Sequence, residues 1–148
     1  MKYFVFALLM FIAGLALTAI ERDTPELRPI VRMRTTTGLF ITVAMRQPVK
    51  RSMCVEGLAA FERTLTPLCP VCVIESSDCL QSFDGIENAL VRNEPLPIYT
   101  VDSDAFRIAL VGPTSAVAAE CNEMASEMVR RGAKMAACRA PAIVSAGQ

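Results

Sequence analysis

Phe106, Ile108 and Leu110 alternate with Arg107, Ala109 and Val111, the period of a strand with one face buried. Gly112-Pro113 ends the run, because proline brings no N–H to a ladder and glycine permits the bend. Ala118, Cys121, Ala125 and Met128 then recur at helical spacing, and Thr114 or Ser115 stands where a helix cap is needed. Arg130 and Arg131 suit the negative end of that helix, and Gly132 is a left-handed stop. Lys134 to Ala140 reads as a short strand carrying Cys138. Earlier in the chain, Gly38 to Met45 alternates in the same way, with Leu39, Ile41, Val43 and Met45 on one side and Phe40, Thr42 and Ala44 on the other. A helix is expected from Ser52 to about Leu65, with Cys54, Leu58, Phe61 and Leu65 on its buried stripe, and a second strand over Val71 to Glu75.

The two regions are related by a shift of 67 positions, which lays Cys121 on Cys54, Ile108 on Ile41 and Leu110 on Val43. Strand phase and helix phase agree without a gap, so the pattern predicts an internal repeat. Between the halves lies an insertion, residues 77–97. Asp84 and Glu87 there have capping-box spacing ahead of a short helix that ends near Asn93. Ile98 to Val101 and Phe106 to Val111 flank Asp102-Ser103-Asp104, which fits either a bent strand or a hairpin. Two βαβ halves predict a ferredoxin-like α+β fold. Four antiparallel strands would carry both helices on one face and leave the other face for solvent or a ligand.

Tyr3 to Ile20 is eighteen residues without a charge, longer than the usual core of a cleaved signal and long enough to span a bilayer. Residues 1–20 therefore read as an uncleaved signal anchor, with a cleaved signal as the alternative. Residues 21–37, polar and holding Pro25 and Pro29, read as a tether. Residues 38–140 form the domain and 141–148 a flexible tail. The formal charge of the 148 residues is zero, so no bulk charge argues for nucleic acid or anionic lipid. Six cysteines in a small domain point to an oxidising compartment. These features predict a single-pass protein of the bacterial inner membrane with its domain in the periplasm.

GLFITVAM followed by a helix, then FRIALVGP followed by a helix ending MVRRGAK, resembles the SPOR domain over residues 38–140. Arg107, Ile108, Gly112, Pro113 and Gly132 carry the likeness. It implies a repeated βαβ fold on an envelope protein that binds cell-wall glycan on the open face of its sheet. On the alternation above, that face carries Phe40, Thr42, Ala44, Arg107, Ala109 and Val111, with Tyr99 nearby. Phe40, Thr42, Tyr99 and Arg107 are the candidate ligand-binding residues, since an arginine beside aromatic rings can hold a sugar or an acidic partner.

The cysteines admit a specific pairing. Cys121 lies about ten residues before its helix ends, roughly 15 Å of rise. Cys138 lies about four residues into the returning strand, roughly 13 Å. The two reach one level, so Cys121–Cys138 can staple helix to sheet, Cys54–Cys79 does the same by the repeat, and Cys69–Cys72 remains as a local pair. A redox C-x-x-C at Cys69 and Cys72 is the competing reading, although it follows a helix instead of opening one. The gaps between Cys54, Cys69, Cys72 and Cys79 match no usual zinc spacing. With no histidine, the usual neutral-pH acid–base group is missing, and no nucleophile elbow or phosphate loop is present. The basic turn at Arg46, Lys50 and Arg51 reads as solvated, and the carboxylates, Asp78, Glu87 and Asp102 among them, as surface. The sequence thus predicts a non-enzymatic binding module with no cofactor, metal or nucleic acid, whose partner is cell-wall glycan or an envelope protein. The alternatives are a docking subunit of a secretion or polysaccharide-export machine, and a thiol–disulfide oxidoreductase using Cys69 and Cys72.

Overall fold

The computed structural model describes residues 26–68 and 70–143, the side chains of 64–68 apart. The expected anchor, Cys69 and the last five residues of the expected tail lie outside them. The chain folds as a mixed α+β domain with three helices and one open, antiparallel sheet of six strands. The elements are β1 (Arg28–Thr35), β2 (Phe40–Met45), α1 (Arg51–Leu68), β3 (Cys72–Leu80), α2 (Gly85–Val91), β4 (Tyr99–Ser103), β5 (Phe106–Val111), α3 (Thr114–Arg130) and β6 (Ala136–Arg139). Among the described residues no helix is long and apolar enough to cross a membrane.

The strand order is β3-β1-β2-β5-β4-β6. Each half of the chain is therefore a hairpin, a helix and a returning strand that pairs with the hairpin's first strand. The two halves lie side by side and meet where β2 pairs β5. This corrects the interleaved, four-stranded sheet expected from two βαβ units. The extra strands come from residues 28–35, expected to be a tether, and from 99–103. Val31 and Met33 of β1 sit in the core, while Arg32 and Arg34 face the other way with carboxylate partners. Thr35 to Leu39 closes the first hairpin, with Gly38 at φ 84° in the left-handed region that glycine tolerates. Ser103 closes the second, its hydroxyl 2.9 Å from the Phe106 amide.

The β2–β5 register carries the repeat. Ile41 pairs Leu110 and Val43 pairs Ile108, so the 67-residue shift maps each pair onto the other. Both long helices pack on one face, as expected, over Val31, Met33, Ile41, Val43, Val101, Ile108 and Leu110. Gly112 makes the β5–α3 turn possible, because a Cβ there would stand 3.0 Å from Leu39 Cδ1. Pro113 occupies the cap position of α3 without a side-chain cap, in place of the expected Thr114 or Ser115. Gly132 ends α3 at φ 101°.

Two disulfides staple helix to edge strand: Cys54–Cys79 joins α1 to β3 and Cys121–Cys138 joins α3 to β6, with Cα separations of 6.1 and 5.4 Å. Cys72 is also disulfide-bonded; its expected partner, Cys69, is outside the described residues. β3 continues to Leu80, so the insertion begins later than residue 77. The start of the expected tail is tied down, since the Ala142 amide donates to Leu96 O at 2.8 Å.

Two outcomes are expected. A fragment starting at residue 36 loses β1 and with it the only ladder that holds β3 among the described residues. It gives no cooperative urea transition, whereas a fragment starting at residue 26 does. Cys121→Ala and Cys138→Ala each lower stability by about 2–4 kcal/mol, and the double variant by no more than either single one; additive losses would argue against a shared bond.

Candidate functional site

The face opposite the long helices is built by the alternate residues of every strand. Ladder register sets them in rows. Arg34, Phe40 and Val111 form one, Arg32, Thr42, Ala109, Thr100 and Arg139 a second, and Ile30, Ala44, Arg107, Asp102 and Ala137 a third. α2 lies over this face and presses Leu90 onto Ile30, Ala44 and Ala109. A seven-residue helix has little stability of its own. Burying Leu90 contributes about 1.5–3 kcal/mol, and polar contacts at both ends hold the helix in place. The open face is thus covered in the middle by the insertion, and three different surfaces remain around it.

At the start of α2, the Arg32 guanidinium is 2.5 Å from Glu87 Oε1 and 2.7 Å from Asp78 Oδ2, and it also donates to Ser76 Oγ at 2.7 Å. Glu87 therefore turns to β1, and Asp84 caps the helix by position without a side-chain hydrogen bond. The hydrogen bond to Glu87 pushes the Arg32 pKa up, and burial opposes it. Arg32 stays charged at any working pH, with two carboxylates against its one charge. A cavity of about 510 Å³ opens here between Arg32, Thr42, Phe83, Glu87 and Val111.

At the far end of α2, Arg107 is 4% exposed and Asp102 is 6% exposed. Arg107 Nε donates to Asp102 Oδ1 at 2.8 Å, and Arg107 Nη1 donates to Ala89 O at 3.1 Å. Arg46 Nη2 is 3.9 Å from Asp102 Oδ1. Arg139 Nε is 2.5 Å from Asp102 Oδ2 but not aligned as a hydrogen-bond donor to it, so the contact is one of charge. A second cavity, about 430 Å³, is bounded by Asn93, Thr100, Asp102, Arg107 and Arg139.

The third surface is the row furthest from α2's end. Val73, Arg34, Phe40 and Val111 are cross-strand neighbours on β3, β1, β2 and β5. Phe40 is 46% exposed, and Val73, Val111 and Ile86 are comparably open. The Arg34 guanidinium lies 6.0 Å from the Phe40 ring centre and pairs with Glu75 at 3.2 Å. A further hollow, about 670 Å³, lies on the other face beside α1 and β3. Its polar wall groups Ser77 and Glu62 are bonded to each other.

Of the four candidate ligand-binding residues, Phe40 and Thr42 stand on the uncovered part of the face. Arg107 is on the same face but buried at the far end of α2, on the wall of the second cavity. Tyr99 packs with the core under the long helices, because it pairs Leu110 and shares its side of the sheet. Asp102 and Glu87, expected as plain surface carboxylates, are ion-pair partners within the structure, and Arg46 of the expected solvated turn joins them. Arg32 and Arg34 were hidden in the expected tether; the signal that could have found them is the alternation Val31-Arg32-Met33-Arg34. Among the described residues, no group of three metal-binding side chains comes together. No family model, curated protein or solved structure matches the chain.

Removing Arg107 leaves Asp102 buried without its bonded partner, so Arg107→Ala is expected to cost about 3–5 kcal/mol in urea unfolding. Arg139→Ala, at a side chain 66% exposed, is expected to cost no more than about 1 kcal/mol. Equal costs would show that the buried pair is not what fixes α2.

Proposed function

We propose that the chain is a membrane-anchored, non-enzymatic docking module, held by residues 3–20 in the bacterial inner membrane with its domain in the periplasm, that receives an envelope protein on the strip Val73–Phe40–Val111. The observation that carries this reading is the strip itself: half-exposed Val73, Phe40 and Val111 on three strands, with Arg34 of β1 between Val73 and Phe40, beside a cavity and next to the Arg34–Glu75 and Arg32–Glu87 pairs. An apolar centre with a charged rim is the anatomy of a protein-binding patch. The helix-to-edge disulfides support an oxidising compartment, and the eighteen uncharged residues at the start of the sequence support the anchor.

Glycan binding is the second reading. It is favoured by the open Phe40 ring with Thr42 one row away, a stacking platform beside a hydroxyl, and by the likeness to the SPOR domain. Arg107, buried at the far end of α2 and absent from the walls of this cavity, is not there as the cation the site was expected to use.

A photo-crosslinking residue in place of Phe40 or Val111, in intact membranes, is expected to trap one discrete protein. The same probe at Glu120, exposed on α3, is expected to trap none. Phe40→Asp is expected to lower capture at Val111 about tenfold or more without changing the melting temperature, since truncating a central aromatic anchor typically costs 2 kcal/mol or more. Saturable sedimentation with cell-wall sacculi, lost in Phe40→Ala, together with no discrete crosslink, would replace this reading by the glycan one.

A further inference from the structure

We infer that the cavity at the C-terminal end of α2 is an oxyanion site, taking a phosphate or carboxylate group between Arg107 and Arg139. Three guanidinium groups, of Arg46, Arg107 and Arg139, stand around the single carboxylate of Asp102. Summed over the four groups, two positive charges are left over, and of the three arginines Arg107 and Arg139 line the cavity. At the opposite end of α2 the balance is reversed, with one arginine held by two carboxylates. Charge is therefore sorted along this face, and the surplus at Asp102 is local.

The hydrogen-bond inventory points the same way. Arg107 uses Nε on Asp102 and Nη1 on Ala89 O. Arg139 meets Asp102 with Nε alone. Their Nη2 groups, and Arg139 Nη1, have no partner among the described residues. Arg46 Nε is enclosed and has no acceptor there either. The Arg139 side chain is 66% exposed, so its Nη groups are open to a ligand, and a fork of free guanidinium N–H groups fits the paired oxygens of a phosphate or carboxylate. Asp102 orients the two arginines that line the cavity, much as an outer carboxylate orients a ligand-binding group. Asn93 and Thr100, on the cavity wall, add neutral polar contacts. None of these residues belongs to the apolar strip, so the inference stands apart from the docking reading.

The test is thermal melting of the full, oxidised chain in mild detergent at constant ionic strength, with sodium phosphate, sodium succinate or sodium chloride added. A ligand that binds only the folded state raises the melting temperature in a saturable way. Phosphate or succinate is expected to do so and chloride is not, and whichever of the two is stronger identifies the group. Arg139→Ala is expected to melt like the parent without anion and to need about tenfold more anion for the same shift. Arg63→Ala, on the exposed side of α1, is expected to behave as the parent. No saturable shift with either oxyanion, an equal shift with chloride, or an unchanged response in Arg139→Ala would each overturn the site.

Discussion

A charged side chain placed inside a sheet must find its counter-charge or stay unburied, and Arg107 resolves this with Asp102. The two are direct cross-strand partners on one hairpin, five residues apart, so forming the hairpin forms the pair. A slip of one residue in that ladder would swing Arg107 into the apolar core beneath α3. The pair thus fixes register from the polar side while Val101, Ile108 and Leu110 fix it from the apolar side. Arg107 then reaches Ala89 O, and so the same guanidinium sets where α2 lies. A buried ion pair is not in itself strongly stabilising relative to an apolar substitute. Its weight here lies in the cost of the arrangements that would break it, and those arrangements are the ones that would expose the middle of the face.

The two halves solve a second problem in the same way. Among the described residues β3 and β6 are the edges of the sheet, each paired with a strand on one side only. Edge strands are the parts most prone to fray or to pair with another chain. Each is bonded covalently to the long helix above it, through Cys79 and Cys138. The seam between the halves needs no such bond, because β2 and β5 pair along their whole length. Covalent reinforcement is thus placed where backbone pairing is thinnest.

The repeat, the helix phases and both described disulfide pairings were legible because long helices and returning strands carry strong periodic signals. β1 was not, and the reason is a phase shift. Strand β2 maps to β5 at 67 positions, but β1 maps to β4 at 68, as the pairings of Met33 with Ile41 and of Val101 with Ile108 require. A gapless slide sets Arg32 on Tyr99 and Arg34 on Val101, opposite faces, and the likeness disappears. The missed strand also concealed Arg32 and Arg34. Tyr99 was misplaced by the same one-residue ambiguity, since a short run such as Ile98 to Val101 gives no independent phase. The burial of Asp102 had no local signal at all. It follows from α2 and Arg139 arriving from distant parts of the chain.

A net charge of zero gave, at the level of the sequence, no bulk argument for nucleic acid or anionic lipid. The fold shows why such a sum says nothing about a local site. Neutrality of the whole chain is compatible with separation of charge on one face, and α2 is the divider. Two carboxylates gather on Arg32 at its start and three arginines on Asp102 beyond its end. Their heads are about one short helix apart, roughly 10 Å for seven residues and near the screening length at physiological salt. Each cluster is therefore felt by a ligand in its own cavity and only weakly by one in the other. Formal charge summed over a chain constrains solubility and long-range steering. What a pocket binds is set by the few groups within its own walls.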